Sequence, residues 1–173
     1  MFTLRCTRKL LARGLEVTAG ADQAPTSLLG DWYANVLVRR PEHLVLALSE
    51  RTLLPVLLPA KETKSLPLRM SQAVGEVLHR LGIDPVLIDR ERQAMQTVRI
   101  GRTASRSVLG SLNDLMYQLE VGLDMRPERT LLEHALWLAE TPCKPIEYGY
   151  PAGATQALFA SAAVLAKVGQ RAP

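Results

Sequence analysis

Aromatic side chains are scarce in this sequence: two Phe, two Trp and four Tyr, 5% of 173 residues. They are too few and too scattered to form a stacking platform for the bases of a single strand. Cysteine is scarcer still. Cys6 and Cys143 stand near opposite ends of the chain with no spacing motif around either, which excludes a disulfide framework and predicts two reduced, structural thiols. The three histidines, His43, His79 and His134, fall in unrelated segments, without an HxxxH, CxxC or His–carboxylate spacing. No metal and no cofactor is therefore expected. No run reaches the roughly 18 uncharged apolar residues that a membrane span needs. The opening MFTLRCTRKLLARG interrupts its apolar residues with charges, unlike a secretory leader. Nor does a lysine follow a glycine-rich run, as a phosphate-binding loop would require. These absences predict a cytoplasmic protein with no membrane partner.

What is present is globular. Hydrophobic residues make up 47% and charged residues 22%, and a chain of this length buries roughly 70% of its unfolded surface. One domain over residues 1–173 is the expectation, with 146–173 as a helical appendage to it. The formal net charge is +4 and comes from 16 Arg against 5 Lys. Arginine suits bidentate contacts to carboxylate or phosphate. These arginines are scattered, however, and a solvated surface with internal ion pairs accounts for most of them.

The periodicities place the elements. Phe2 to Thr7 alternates like a half-buried strand, and a short basic helix follows to Gly14. Trp32–Arg39 and Leu44–Ser49 read as strands around the turn RPEH. The apolar run 53–59 holds Pro55 and Pro59, which cannot donate to a ladder, so it belongs at a sheet edge or an irregular end. Met70, Val74, Val77, Leu78 and Leu81 form one helical face closed by Gly82, and Asp84-Pro85 opens another helix through about Met95. Thr97–Ile100 alternates again. Leu109, Leu112, Met116 and Leu119 mark a further helix, Thr130 to Glu133 is a capping box, and an alanine-rich helix from near Ala154 to Val168 ends the chain. The sum predicts an α+β fold. It has an antiparallel sheet of about four strands, helices packed on one face, and a C-terminal helix.

One stretch concentrates chemistry. In 101-GRTASRSVLGSLND-114, Arg102 and Arg106, with Arg99 just ahead of the stretch, surround a strand end and helix start that Ser105 or Ser107 can cap. Free N–H groups, hydroxyls and guanidinium groups together suit an anion. Asn113 and Asp114 lie about two turns into the same helix. The competing reading is a capped helix with internal salt bridges. Asp31, Trp32 and Asn35, together with Glu50-Arg51 after the strand Leu44–Ser49, can share one groove with this stretch, although Trp32 also suits the core and Glu50-Arg51 an ion pair. Cys6 stands beside Arg5 and Arg8, whose charge would favour a thiolate. A cysteine within an apolar strand is nonetheless expected to be a small core residue. The catalytic set stays unknown, because no second titrating group is tied to Asp114 by spacing.

The segments LRCTRKLL, LGDWYANVLV, SERTLLPVLLPA and GRTASRSVLGSLNDL, followed by LAETPCKP, occur in that order. Together they resemble a family of small bacterial proteins classed only as a domain of unknown function. The resemblance covers residues 1 to about 120 and then 138–145. It implies no activity, cofactor or catalytic residue. Three functions stay open: a non-catalytic binding or regulatory module whose Arg/Ser-rich helix start holds an anionic protein or nucleic acid, a hydrolase or transferase acting on nucleotide or nucleic acid, and a homo-oligomeric scaffold joined through the C-terminal helix.

Overall fold

A computed structural model describes residues 1–20 and 23–169, with side chains to Leu165. Five strands form one sheet: β1 (Phe2–Cys6), β2 (Trp32–Leu37), β3 (Leu44–Ser49), β4 (Pro55–Pro59) and β5 (Val98–Arg102), in the order β4-β3-β2-β1-β5. β1 runs parallel to both β2 and β5, whereas β2–β3 and β3–β4 are antiparallel. The sheet is thus mixed and five-stranded, not an antiparallel sheet of about four strands. The reason lies in the connections. A helix between two strands supplies the crossover that a parallel pair needs. α1 (Arg8–Leu11) lies between β1 and β2, and two further helices lie between β4 and β5. Only the tight turns after β2 and β3 make hairpins.

Burial corrects a second expectation. All six residues of β3 and the first four of β4 are buried. Register places Tyr33, Leu46, Leu48 and Leu57 on one face and Trp32, Ala47, Val56 and Leu58 on the other. Both faces are covered, so helices do not pack on one face alone. The unbroken apolar runs LVLALS and PVLL are those of strands with no solvent side.

α2 (Leu66–Arg80) packs on β4 and on α3 (Pro85–Ala94). Its C-terminus closes through Ile83 N–H to Leu78 O at 3.1 Å, with Gly82 at φ +74°, a left-handed position that glycine takes without Cβ strain. α4 (Arg106–Met125) crosses β2 and β3, and α5 (Leu131–Ala139) covers β4. Thr130 and Glu133 form the capping box at the start of α5. A Cβ at Gly122 of α4 would meet the Trp137 ring at 2.7 Å, so glycine sets the approach of α4 to α5. α6 (Pro151–Gly169) buries Ala152, Thr155 and Phe159, and Thr155 Oγ1 bonds Thr52 Oγ1 at 2.9 Å.

Both sheet edges are closed. The bonds Ser49 N–H to Leu54 O and Ala60 N–H to His43 O fix the even residues of β4 towards β3. Outward-facing donors would come from residues 55, 57 and 59, and two of these are proline. Arg69 takes the Pro59 carbonyl at 3.0 Å. At the other edge, Thr18 binds both backbone groups of Ile100: its N–H donates at 2.8 Å and its Oγ1 accepts at 3.1 Å.

Two buried polar residues test the packing. Glu91 of α3, only 3% exposed, accepts from Ser27 Oγ (2.6 Å), Leu28 N–H (2.7 Å) and Leu29 N–H (3.1 Å). Glu91→Ala leaves all three donors without an acceptor and should lower stability by about 3 kcal/mol in urea unfolding. His134 of α5 is fully buried, and neither ring nitrogen has a hydrogen-bond partner among the described residues. Burial lowers its pKa, and the Arg126 backbone, outside hydrogen-bond geometry, offsets this only in part. Above about pH 6.5 the imidazole is neutral folded and unfolded alike. As pH falls through that value the unfolded chain binds a proton that the folded one resists, so stability declines. The urea midpoint should drop between about pH 7.5 and about pH 5.5, and drop less in His134→Leu.

Candidate functional site: the start of α4 and its polar stripe

β5 delivers the chain to α4 at the carboxyl ends of the parallel strands. Ser105 is the N-cap: its Oγ accepts from Val108 N–H at 3.3 Å, and its own N–H donates to Tyr33 Oη at 3.1 Å. Tyr33 Oη in turn donates to Glu50 Oε1 at 3.4 Å. The sheet therefore holds the helix start through one phenol, whose pKa burial raises first and the Glu50 charge raises further. No acidic residue occupies the first turn of α4. The N–H groups of Arg106 and Ser107 meet no acceptor among the described residues, as the first turn of a helix dictates.

The arginines divide. Arg102 and Arg106 are exposed and form no ion pair with any described residue. Arg99 is half-buried and donates to the Gly20 carbonyl. Arg8, exposed and unpaired among the described residues, adds a further guanidinium at the start of α1, just beyond Cys6, the register partner of Arg102. The sequence pointed to Arg8 only as a neighbour of Cys6; the parallel pairing of β1 with β5 brings it to this end of the sheet.

The other candidates lie elsewhere. Asp31 is 2% exposed; its carboxylate accepts from Thr3 N–H and from Arg5 Nε, each at 2.9 Å, and pairs with Arg5 Nη2 at 2.9 Å. Trp32 is fully buried on the opposite face from Tyr33. Asn35 spends its side-chain oxygen on Thr7 Oγ1 (2.7 Å) and Val36 N–H (2.8 Å). Arg51 is exposed and donates to the Leu28 carbonyl at 3.1 Å. Glu50 alone of this group touches the helix start, through Tyr33. Cys6 is an inert core thiol: burial pushes its pKa up to about 12, and the neighbouring guanidinium groups do not offset that.

Asn113 and Asp114 are exposed on α4. Asp114 belongs to a polar stripe, Ser107, Ser111, Asp114 and Gln118, whose 4-3-4 spacing marks one helical face. That face borders a cleft of about 450 Å³ closed by the turn Thr141 to Lys144. Ser111, Gln118, Thr141 and Lys144 were not among the expected site residues. The stripe is legible in the sequence once the helix register is known, but its partner wall is not. Among the described residues, no group of three or more His, Cys, Asp or Glu is placed to hold a metal. No described helix is long and apolar enough to cross a membrane.

A sequence family described as "Domain of unknown function (DUF6933)" matches residues 3–154, most of the chain. The chain belongs to this family. The matched region of the DUF6933 domain contains all five strands and α1 to α5, and it ends within the first turn of α6. No match was found among curated proteins, and none among solved structures.

Asp31 carries a structural load. Asp31→Ala would remove the buried carboxylate that accepts from the Thr3 N–H and pairs with Arg5. It should cost about 3 kcal/mol or more, read as a fall in thermal midpoint together with loss of the native near-ultraviolet signal.

Proposed function

We propose that this DUF6933 domain is a cytoplasmic, non-catalytic binding or regulatory module that holds an anionic partner at the start of α4. The observation that carries the reading is uncompensated charge: Arg102 and Arg106 are exposed, unpaired among the described residues, and set around a helix N-terminus with no acid in its first turn. The helix dipole adds to that positive potential. The place is also apt, because ligands of open sheets with parallel strands bind beyond the carboxyl ends of those strands. The buried, unpaired thiols suit a reducing compartment.

A phosphate-bearing or carboxylate-rich segment of protein or nucleic acid fits this chemistry. The hydrolase or transferase alternative has less support, because Asp31 is committed to Arg5 and Glu50 to Tyr33. The scaffold alternative draws on Val164 and Leu165, 61% and 72% exposed on α6; the last four residues of its expected seam, 153–173, lie outside the described residues.

The test is fluorescence anisotropy with labelled RNA, DNA and acidic or phosphorylated peptides at low salt. The wild type should bind at least one of these polyanions. The Arg102→Ala/Arg106→Ala pair should weaken that binding by about tenfold or more. For a nucleic acid it should also flatten the salt dependence by about two contacts. Unchanged affinity in a folded double variant removes the surface, and Arg8→Ala then reports whether α1 carries the contact instead.

A further inference from the structure

The cleft beside the middle of α4 is a second feature, and nothing in the reading of the helix start depends on it. One wall is the stripe Ser111, Asp114 and Gln118; the other is the turn with Thr141 and Lys144. Its volume of about 450 Å³ falls within the usual range for small-molecule sites. Its polar groups are left unsatisfied in a particular way. Ser111 is only 7% exposed, yet its hydroxyl, on the cleft wall, makes no hydrogen bond with any described residue. The oxygen is open to the cleft, where a ligand or water can meet it. Thr141 Oγ1 donates to Gln118 Oε1 at 3.1 Å, which fixes the amide and leaves both of its N–H donors without an acceptor among the described residues.

The charges select the occupant. Asp114 and Lys144 are both exposed at the cleft, and neither forms an ion pair with a described residue. Asp114 and Cys143 line the same cleft, and the Asp114 charge adds to burial in raising that thiol's pKa. A simple anion entering here would meet Asp114, and a simple cation would meet Lys144. A molecule carrying both signs satisfies each.

We infer that this cleft binds a small zwitterion of the α-amino acid class, its ammonium group on Asp114 and its carboxylate facing Lys144, Gln118 Nε2 and the Ser111 hydroxyl. The side chain of the ligand points outward past Tyr117, which is 70% exposed at the rim. No covalent step is implied.

The experiment titrates the full-length chain with single L-α-amino acids, each to about 1 mM, following amide shifts in the 15N–1H spectrum and confirming hits by calorimetry. At least one should bind and shift residues of the stripe and of the Thr141–Lys144 turn. Asp114→Asn and Lys144→Gln should each weaken that binding by about tenfold or more. Both residues are exposed, so both variants should fold. The N-acetyl and carboxamide derivatives of the same amino acid each lack one charge and should bind correspondingly worse. Arg102→Ala/Arg106→Ala should leave binding unchanged, which separates this site from the helix start. Three results would overturn the inference: no amino acid binding to the wild type, an N-acetyl derivative binding as well as its parent, or binding lost with the two arginines and kept without Asp114.

Discussion

The carboxylate of Asp31 holds the centre of the sheet in register. β1 is the middle of the parallel trio, and a parallel pair lacks the hairpin that would otherwise align it. Asp31, one residue before β2, reaches across to the Thr3 N–H and the Arg5 guanidinium of β1. A charged pair this far inside the protein is costly unless its hydrogen bonds are met, and here both partners are engaged. With β1 and β2 so aligned, β5 takes its place on the far side of β1, and the carboxyl ends of all three strands open in one direction. The start of α4 inherits its position from that alignment, through β5 and through the bond from Ser105 to Tyr33.

The same bond links rigid and exposed chemistry. Tyr33 is anchored within the sheet, whereas Arg102 and Arg106 stand in solvent on either side of the residue it holds. The helix start is thus presented on a fixed support, which limits its freedom to move relative to the sheet. Along the same helix the character changes within about two turns, from uncompensated positive charge to a cleft with charges of both signs. One element therefore presents two surfaces whose charge differs in sign and in arrangement.

Most of the elements were legible from local pattern. The hairpin strand Leu44–Ser49, the Asp84-Pro85 and Thr130 helix starts, the Ser105 cap and the edge position of the proline-bearing strand all follow from a few neighbouring residues. Pairing was not legible in the same way. The strand–helix–strand order across β1 and β2 carried the parallel signal, but the tight turns after β2 and β3 outweighed it in favour of a meander. The unbroken apolar runs of β3 and β4 likewise announced two covered faces, which the expectation of a one-sided sheet overlooked. At the site, the arginines were recognisable because Arg99, Arg102 and Arg106 lie close together along the chain. The cleft was not, because Lys144 and Thr141 reach Ser111 and Asp114 only through the packing of the turn after α5 against α4.

The two prolines of β4 have a consequence for the life of the protein in a crowded cell. A ribbon rim with a single available donor is a poor template for another chain, and at the opposite rim Thr18 takes both backbone groups of Ile100. Growth by backbone addition is thereby disfavoured at both rims.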